Sequence, residues 1–213
     1  MNIDAIFFDL GMVLVTFDWD IAIPRFAARN GGNEKIIKEF LAHPKHESFE
    51  RNGISGEAFY AFGRDSIKWR GSQQEFQQIW NEIFTEIPEA IRLARALAQE
   101  YPLHVISNTN PWHAAYVEAK YEWINLFEQR IYSCAVEFRK PDPRIYQLAA
   151  ERAGVPPERA LFIDDRLENL EGAQKIGMQT IHAPTTQLLR AGLEKYFPHL
   201  AKIANAEIVK ERT

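Results

Sequence analysis

Residues 6–15 read IFFDLGMVLV, an apolar run that is interrupted by one carboxylate, Asp9, and by one glycine, Gly11. The residues Ile3 to Phe8 are rich in isoleucine and phenylalanine, which predicts a short buried strand. An aspartate directly after a buried strand either starts a turn or belongs to a site at the end of that strand. The rest of the chain decides between these two interpretations of Asp9.

Four more apolar runs predict strands of the same sheet, at residues 103–108, 130–136, 160–165 and 179–183. Helical patterns lie between them, at residues 88–100, 111–123, 142–154 and 167–176. Two of these helices begin with proline after Asn110 or Asp142, as expected for a helix start. Strands that alternate with helices in this way indicate an α/β fold with a Rossmann-like parallel sheet covered on both faces.

Residues 16–87 break this alternation and contain no convincing strand. The sequence SQQE at 72–75 is a capping box, and apolar residues follow it at helical spacing. We therefore expect an all-helical insertion, a cap, over residues 16–87, and a core made of residues 1–15 and 88–213. Beyond Pro198 the sequence is compatible with a last helix or with disorder.

The composition excludes several classes of partner. The chain of 213 residues carries 25 basic and 29 acidic residues, for a net charge of −4, which indicates no nucleic-acid or membrane partner. Its single cysteine, Cys134, cannot form an intramolecular disulfide. We expect a cytoplasmic protein, a monomer or homodimer, whose partner is a small molecule.

Polar residues follow each of the first four strands of the predicted sheet. They are Asp9, Ser107, Asn108, Lys140, Asp164 and Asp165. Each one alone is better explained as a helix cap, a turn or a loop residue. Together they combine carboxylates suited to Mg²⁺ with a lysine and a helix N-terminus suited to phosphate. Ligands of open parallel sheets bind at this edge, so the set predicts a Mg²⁺ and phosphate site.

These motifs resemble the haloacid dehalogenase superfamily (HAD) along essentially the whole chain. The matching stretches are Asp9-Leu10-Gly11-Met12-Val13, Ser107 in ISNTN, Lys140 in RKPDPRIY, and Asp164-Asp165 in FIDDRLENLEGA. Their spelling, with the stretch HESFERNGISGEAF in the insertion, is similar to bacterial sugar phosphatases of subfamily IA, notably the alpha-D-glucose-1-phosphate phosphatases. The resemblance implies an Mg²⁺-dependent phosphatase that acts on a small phosphomonoester such as a sugar phosphate.

The resemblance also implies a role for each residue. Asp9 would attack phosphorus to form an aspartyl-phosphate, with Lys140 as the second catalytic group. Asp9, the Gly11 carbonyl and Asp165 would hold Mg²⁺, with Asp164 beside it. The phosphoryl oxygens would be bound by Ser107, Asn108 and Lys140.

Gly11 departs from the family pattern, because the family usually has a second aspartate there that protonates the leaving alcohol. Dehalogenases also lack this aspartate, so a 2-haloacid dehalogenase is one alternative, and a non-catalytic phosphate-binding protein is another. A phosphatase without the acid should depend steeply on the leaving-group pKa, unless Asp18 or Asp20 replaces it. Candidates for contacting a sugar hydroxyl are His46, Glu47 and Glu50, although a solvated helix face explains them better.

Overall fold

The computed structural model describes residues 2–199. Numbered in chain order, its strands are β1 (Ala5–Phe8), β2 (Val15–Phe17), β3 (Phe84–Glu86), β4 (Leu103–Ser107), β5 (Phe127–Tyr132), β6 (Ala160–Asp164) and β7 (Gln179–His182). Its helices are α1 (Trp19–Ala27), α2 (Glu34–Leu41), α3 (Lys45–Glu50), α4 (Gly56–Ile67), α5 (Gln73–Asn81), α6 (Pro88–Leu97), α7 (Pro111–Lys120), α8 (Ser133–Val136), α9 (Pro143–Ala153), α10 (Leu167–Gln174) and α11 (Thr186–Tyr196). The segment 200–213, for which the sequence left a helix and disorder open, lies outside the described residues.

The centre of the molecule is a five-stranded sheet in the order β5-β4-β1-β6-β7, and neighbouring strands run parallel. Strand β1 lies in the middle, and its four residues are all fully buried. Its side chains alternate between two apolar clusters: Ile6 and Phe8 join one, and Ala5 and Phe7 join the other. The predicted α/β fold with a parallel sheet covered on both faces is therefore confirmed.

Local capping explains where the helices beside the site begin. The side chain of Asn110 accepts hydrogen bonds from the backbone N–H groups of Trp112 and His113, and Pro111 occupies the first helical position. Asp142 caps α9 in the same way, and Gly154 ends that helix with a φ of 69°. This left-handed conformation suits glycine because it has no Cβ.

The prediction that residues 16–87 contain no strand is wrong. They hold five helices, α1 to α5, but β2 and β3 at the two ends pair in an antiparallel two-stranded sheet. Each strand has only three residues and one partner, so neither carries the hydrophobic alternation by which a strand is recognised. The division into a core of 1–15 and 88–213 and an insertion of 16–87 stays a prediction.

The run at 130–136 was predicted as one strand, and this prediction is also wrong in its second half. Strand β5 ends at Tyr132, and the chain turns into the short helix α8. The Ser133 hydroxyl accepts a hydrogen bond from Thr109 N–H and donates one to the Thr109 carbonyl. These bonds join the start of α8 to the loop after β4, 24 residues away, so the apolar run alone could not reveal the turn.

The insertion has its own aromatic core, which packs against the N-terminal end of α7. Phe49 and Phe59 stack with ring centroids 4.3 Å apart, and the Trp112 ring of α7 meets both at their edges. A Cβ added at Gly56 would lie only 2.7 Å from Trp112 Nε1, so α4 and α7 approach closely. Within residues 2–199, no helix has the length and apolar character needed to cross a membrane.

Candidate active site

The carboxyl edge of the sheet brings the predicted site residues together. Asp9 follows β1, Ser107 ends β4, and Asp164 ends β6 with Asp165 directly after it. The loop after α8 adds Lys140, which is only 2% exposed. These groups surround the floor of a cleft of about 560 Å³ that lies between the sheet and the insertion.

Lys140 is the charge at the centre of this floor. Its Nζ lies 2.7 Å from Asp9 Oδ1 and 2.7 Å from Asp164 Oδ2. Burial alone would lower the pKa of the ammonium, but the two carboxylates outweigh it and the pKa is raised. Lys140 is therefore held as a cation, which suits it to bind an anion above Asp9.

Asn108 holds the Lys140 loop in place. Its Oδ1 accepts a hydrogen bond from Lys140 N–H at 2.8 Å, and its Nδ2 donates to the Lys140 carbonyl at 3.0 Å. The predicted contact of Asn108 with phosphate stays a prediction, but its side-chain amide is already engaged with this backbone. Ser107 lines the cleft and is buried, as its predicted role requires.

Asp164 mainly pairs with Lys140, and little of its carboxylate is free to bind a metal ion. It is fully buried, and it accepts hydrogen bonds from Lys140 Nζ, from Arg166 N–H and, through both carboxylate oxygens, from Asn169 Nδ2. A carboxylate offers about four acceptor positions, so these donors occupy it almost completely. The acceptor positions that remain open to a cation therefore lie mainly on Asp9 and Asp165.

The carboxylate of Asp9 is buried and oriented. Its Oδ1 accepts a hydrogen bond from Leu10 N–H at 2.7 Å and also contacts Lys140, whereas Oδ2 has no such contact with the described residues. Burial raises the pKa of Asp9 to about 7; Lys140 opposes this shift and the nearby charge of Asp164 adds to it. A bound dication would favour the ionised form of Asp9, because an opposite charge stabilises a carboxylate.

The donor set fits Mg²⁺. One oxygen from each of Asp9, Asp164 and Asp165 can be chosen so that all three lie within 4.8 Å of one another. Burial, followed by the charge of Asp164, raises the pKa of Asp165, and a bound cation would oppose this shift. Hard carboxylate oxygens and the Gly11 carbonyl, whose residue lines the cleft, are ligands that Mg²⁺ prefers.

At Gly11 the acid of the family pattern is replaced by open space beside an aromatic ring. A Cβ built on Gly11 would meet only Phe17 of β2, at 3.4 Å, so the backbone itself does not demand glycine there. Asp18 caps α1 by accepting a hydrogen bond from Asp20 N–H at 2.8 Å, and neither aspartate lines the cleft. The helix-start explanation of these two residues therefore agrees with their positions.

The insertion supplies the upper wall of the cleft. This wall is mostly apolar, and its residues are Phe17, Trp19, Leu41, His46, Glu50, Ile83 and Phe84. Of the three candidates for a sugar contact, His46 and Glu50 line the cleft, and Glu47 does not. Sequence reasoning missed Arg139 and Arg166, which also line the cleft and are adjacent in sequence to Lys140 and Asp165.

An ion-pair cluster joins the insertion to the Lys140 loop. Arg139 lies 2.9 Å from Glu47 Oε1 and 3.1 Å from Glu50 Oε2. The Glu47 side chain is 59% exposed, whereas that of Glu50 is 26% exposed. The Arg139 guanidinium thus pairs with two carboxylates, of which Glu47 is the more exposed to solvent and Glu50 the less exposed.

His113, in α7, makes a second contact between the core and the insertion. Its Nδ1 faces Asn110 Nδ2 at 3.0 Å, and its Nε2 faces the Trp80 carbonyl at 3.0 Å. Since a carbonyl only accepts, Nε2 carries the proton and Nδ1 is the acceptor. Burial lowers the pKa of His113 to about 4, so the imidazole is neutral at neutral pH.

We expect His113 to make the fold sensitive to acid. The unfolded histidine titrates near 6.5 and the folded one near 4, so the unfolded chain alone binds a proton between these values. The stabilisation is complete above pH 6.5 and is lost as the pH falls to about 4, a loss of about 3 kcal/mol. Urea unfolding at neutral and acidic pH would measure it. His113→Gln should lower stability at neutral pH and weaken the pH dependence; an unchanged slope would contradict the assignment.

Comparisons with known proteins agree with this geometry. A family model described as a haloacid dehalogenase-like hydrolase matches residues 3–177. The chain is 26% identical over 181 residues to a sesquiterpene phosphatase of Aspergillus oryzae, covering 84% of this chain and 88% of the relative. It is 27% identical over 199 residues to acyl-CoA dehydrogenase family member 10 of Mus musculus, covering 83% of this chain but only 17% of the mouse protein.

Among solved structures, a HAD family enzyme from Bacteroides thetaiotaomicron, crystallised as a magnesium complex, superimposes with a TM-score of 0.75. The two chains are 26% identical, and the match covers 84% of this chain and 92% of the other. The wild-type form of that enzyme was also crystallised with magnesium and inorganic phosphate.

Proposed function

Because the chain belongs to the haloacid dehalogenase-like hydrolases and uses Mg²⁺, we propose that it hydrolyses a small phosphomonoester through an aspartyl-phosphate formed on Asp9. The observation that carries the proposal is the contact of Lys140 with both Asp9 and Asp164, beside Asp165. This arrangement supports the roles of nucleophile for Asp9, fixed cation for Lys140 and metal ligand for Asp165. A phosphoryl group needs all three.

In the proposed reaction, the free oxygen of Asp9 attacks phosphorus, and the bond from phosphorus to the ester oxygen breaks. Bound Mg²⁺, held by Asp9, Asp165 and the Gly11 carbonyl, would offset the charge on the phosphoryl oxygens. Lys140 neutralises the same oxygens from its fixed position, and Ser107 donates a hydrogen bond to them. Water then attacks the aspartyl-phosphate, which releases phosphate and restores the Asp9 carboxylate. Phosphoryl transfer asks mainly for such positioning and charge stabilisation.

For the alcohol part of the substrate, we propose a sugar phosphate, as the resemblance implies. The groups available for its hydroxyls are His46, Glu50, Arg139 and Arg166, and the remaining upper wall is largely apolar. A cleft with an apolar wall and a few polar groups that fix orientation is typical of small-molecule sites. A panel of sugar 1-phosphates, sugar 6-phosphates, aryl phosphates and isoprenoid phosphates tests the choice. Isoprenoid phosphates belong in it because the Aspergillus oryzae relative is a sesquiterpene phosphatase.

A 2-haloacid dehalogenase remains the second candidate function, since Gly11 provides no general acid and a halide needs none. Asp165 weighs against it. It is a half-buried carboxylate with a raised pKa beside Asp9, and a bound cation would stabilise its ionised form. Including 2-haloacids in the panel separates the two reactions, because only one releases inorganic phosphate. A non-catalytic phosphate-binding protein would turn over neither class.

Metal removal gives the most direct test of the proposed chemistry. We expect EDTA to abolish phosphate release and an excess of Mg²⁺ to restore it, because without the cation the carboxylates of Asp9 and Asp165 repel the phosphoryl group. Phosphate release and circular dichroism should be followed on the same samples, so that loss of metal is distinguished from loss of fold. Turnover that continues in EDTA would argue against an Mg²⁺-dependent phosphatase.

A further inference from the structure

The proposed reaction leaves one proton without a source. When the ester bond breaks, the alkoxide must be protonated, and Gly11 has no side chain to do this. A positioned acid contributes roughly a hundred- to ten-thousand-fold to such a step. The titratable groups that line the cleft, apart from Asp9, Asp165 and the basic side chains, are His46, Glu50 and His113.

The two histidines are poor acids in this setting. His113 is neutral, and both of its ring nitrogens are engaged, with Asn110 and with the Trp80 carbonyl. His46 donates from Nε2 to the Phe40 carbonyl at 2.7 Å, and burial lowers its pKa. The proton that His46 holds at neutral pH is therefore fixed in a bond to the backbone and does not face a substrate.

Glu50 is the remaining carboxylate of the cleft lining. It ends α3 on the insertion and lines the same cleft as the floor residues Asp9 and Lys140. Its Oε2 is buried and accepts no hydrogen bond from the described residues, although Arg139 lies 3.1 Å away. Burial without a hydrogen bond makes the charged form of this oxygen costly, and the single contact with Arg139 offsets that cost only in part.

The surrounding charges are compatible with protonation. Burial raises the pKa of Glu50; Arg139 opposes this, Glu47 adds to it, and Arg51 and Arg166 act against it more weakly. Cys134, from α8, is the other titratable group that interacts with it, and its thiol has a pKa raised by burial to about 11. Arg139 is shared with the more exposed Glu47, so its single charge cannot fully compensate both carboxylates.

We propose that Glu50, on the insertion, is the general acid of this enzyme. It supplies the proton that Gly11, which has no side chain, cannot supply. Glu50 donates its carboxyl proton to the ester oxygen as the bond to phosphorus breaks, and it becomes a carboxylate. The carboxylate then takes a proton from the water that attacks the aspartyl-phosphate, which restores the acid. Each turnover therefore returns Glu50 to its protonated form, so the protons balance. The inference rests on the proposed phosphatase function.

The test compares wild type with Glu50→Gln on esters whose leaving groups differ in pKa. Para-nitrophenyl phosphate releases a stable anion and needs little protonation, so we expect its kcat/KM, which reports only the steps up to formation of the aspartyl-phosphate, to change only a few-fold. For alkyl and sugar phosphates we expect kcat/KM to fall by about 10²- to 10⁴-fold. Wild type should show a shallow dependence on leaving-group pKa and the variant a steep one. The variant should also lose the alkaline limb of the pH–rate profile, because that limb reports the acid.

Glu47→Gln is the matched control, because Glu47 pairs with the same arginine but does not line the cleft. It should keep the shallow dependence on leaving-group pKa, because Glu50 is still present, and it should move the alkaline limb to lower pH, because Arg139 then pairs with Glu50 alone. Glu50→Asp, which keeps the acid with a shorter reach, should recover part of the rate on alkyl esters, and circular dichroism would show that both Glu50 variants fold. An equal loss of kcat/KM on all esters, or a dependence of kcat/KM on leaving-group pKa as steep in wild type as in Glu50→Gln, would overturn the assignment while leaving the phosphatase intact. If wild type hydrolyses no phosphomonoester with Mg²⁺, the proposed function fails, and the role of Glu50 fails with it.

Discussion

Asp9→Asn is expected to reduce phosphate release by at least about 10⁴-fold, the scale on which enzymes respond to loss of their nucleophile. An amide of the same shape still fills the space beside Lys140, but its oxygen is a far weaker nucleophile towards phosphorus. The fold should persist, since Lys140 keeps its contact with Asp164 at 2.7 Å. Replacing a buried carboxylate by a neutral group also removes its repulsion with Asp164.

Two measurements check this prediction. Steady-state phosphate release gives the loss of rate, and acid-quench trapping of the phosphorylated protein should detect the aspartyl-phosphate in wild type only. Thermal unfolding of the variant in EDTA should give a midpoint equal to or above that of wild type. A well-folded Asp9→Asn protein with normal turnover would refute the nucleophile assignment.

Lys140→Met should produce the second large effect, because it removes the charge that separates two buried carboxylates. Breaking one side of a buried ion pair typically costs about 3–5 kcal/mol, since the partners are left without compensation. Here Asp9 and Asp164 would face each other with no cation between them. We expect a comparable loss in the free energy of unfolding, measured by urea titration in EDTA, and a loss of turnover with Mg²⁺ restored.

A double variant separates stability from catalysis at this position. Lys140→Met with Asp164→Asn carries one buried charge fewer than Lys140→Met alone, so it should recover much of the lost stability. It should not recover turnover, because no fixed cation remains beside the phosphoryl group. Lys140→Met that is as stable as wild type in EDTA would show that the observed contacts do not carry the expected energy.

The predicted convergence of the strand-end residues follows from topology. Parallel strands place their carboxyl ends at one edge, so Asp9, Ser107 and Asp165 had to meet once the parallel sheet was recognised. Lys140 could be included because its distance after the third predicted strand is short. The spelling of these motifs also placed the chain in its family, which the match over residues 3–177 bears out.

The sequence by itself thus determined the α/β fold, the sheet edge that carries the site and the residue types around a metal and a phosphate. It could do so because buried strands and capped helices are local patterns of apolar spacing and turn chemistry. Only the tertiary structure decided which of those residues are bound to other protein groups and which are free to contact a ligand. Asp164 is occupied by Lys140, Asn169 and Arg166 N–H, and Asn108 clamps the Lys140 backbone.

The part played by the insertion also belongs to the tertiary structure. Glu50 and Glu47 are three residues apart on one helix, and nothing local distinguishes the carboxylate that lines the cleft from the one that faces solvent. The difference arises because the loop carrying Arg139 packs against α3 and buries one side chain more than the other. Burial and charge at such a point depend on residues far apart in the chain, and the desolvation of an ionisable group is set only when those residues meet.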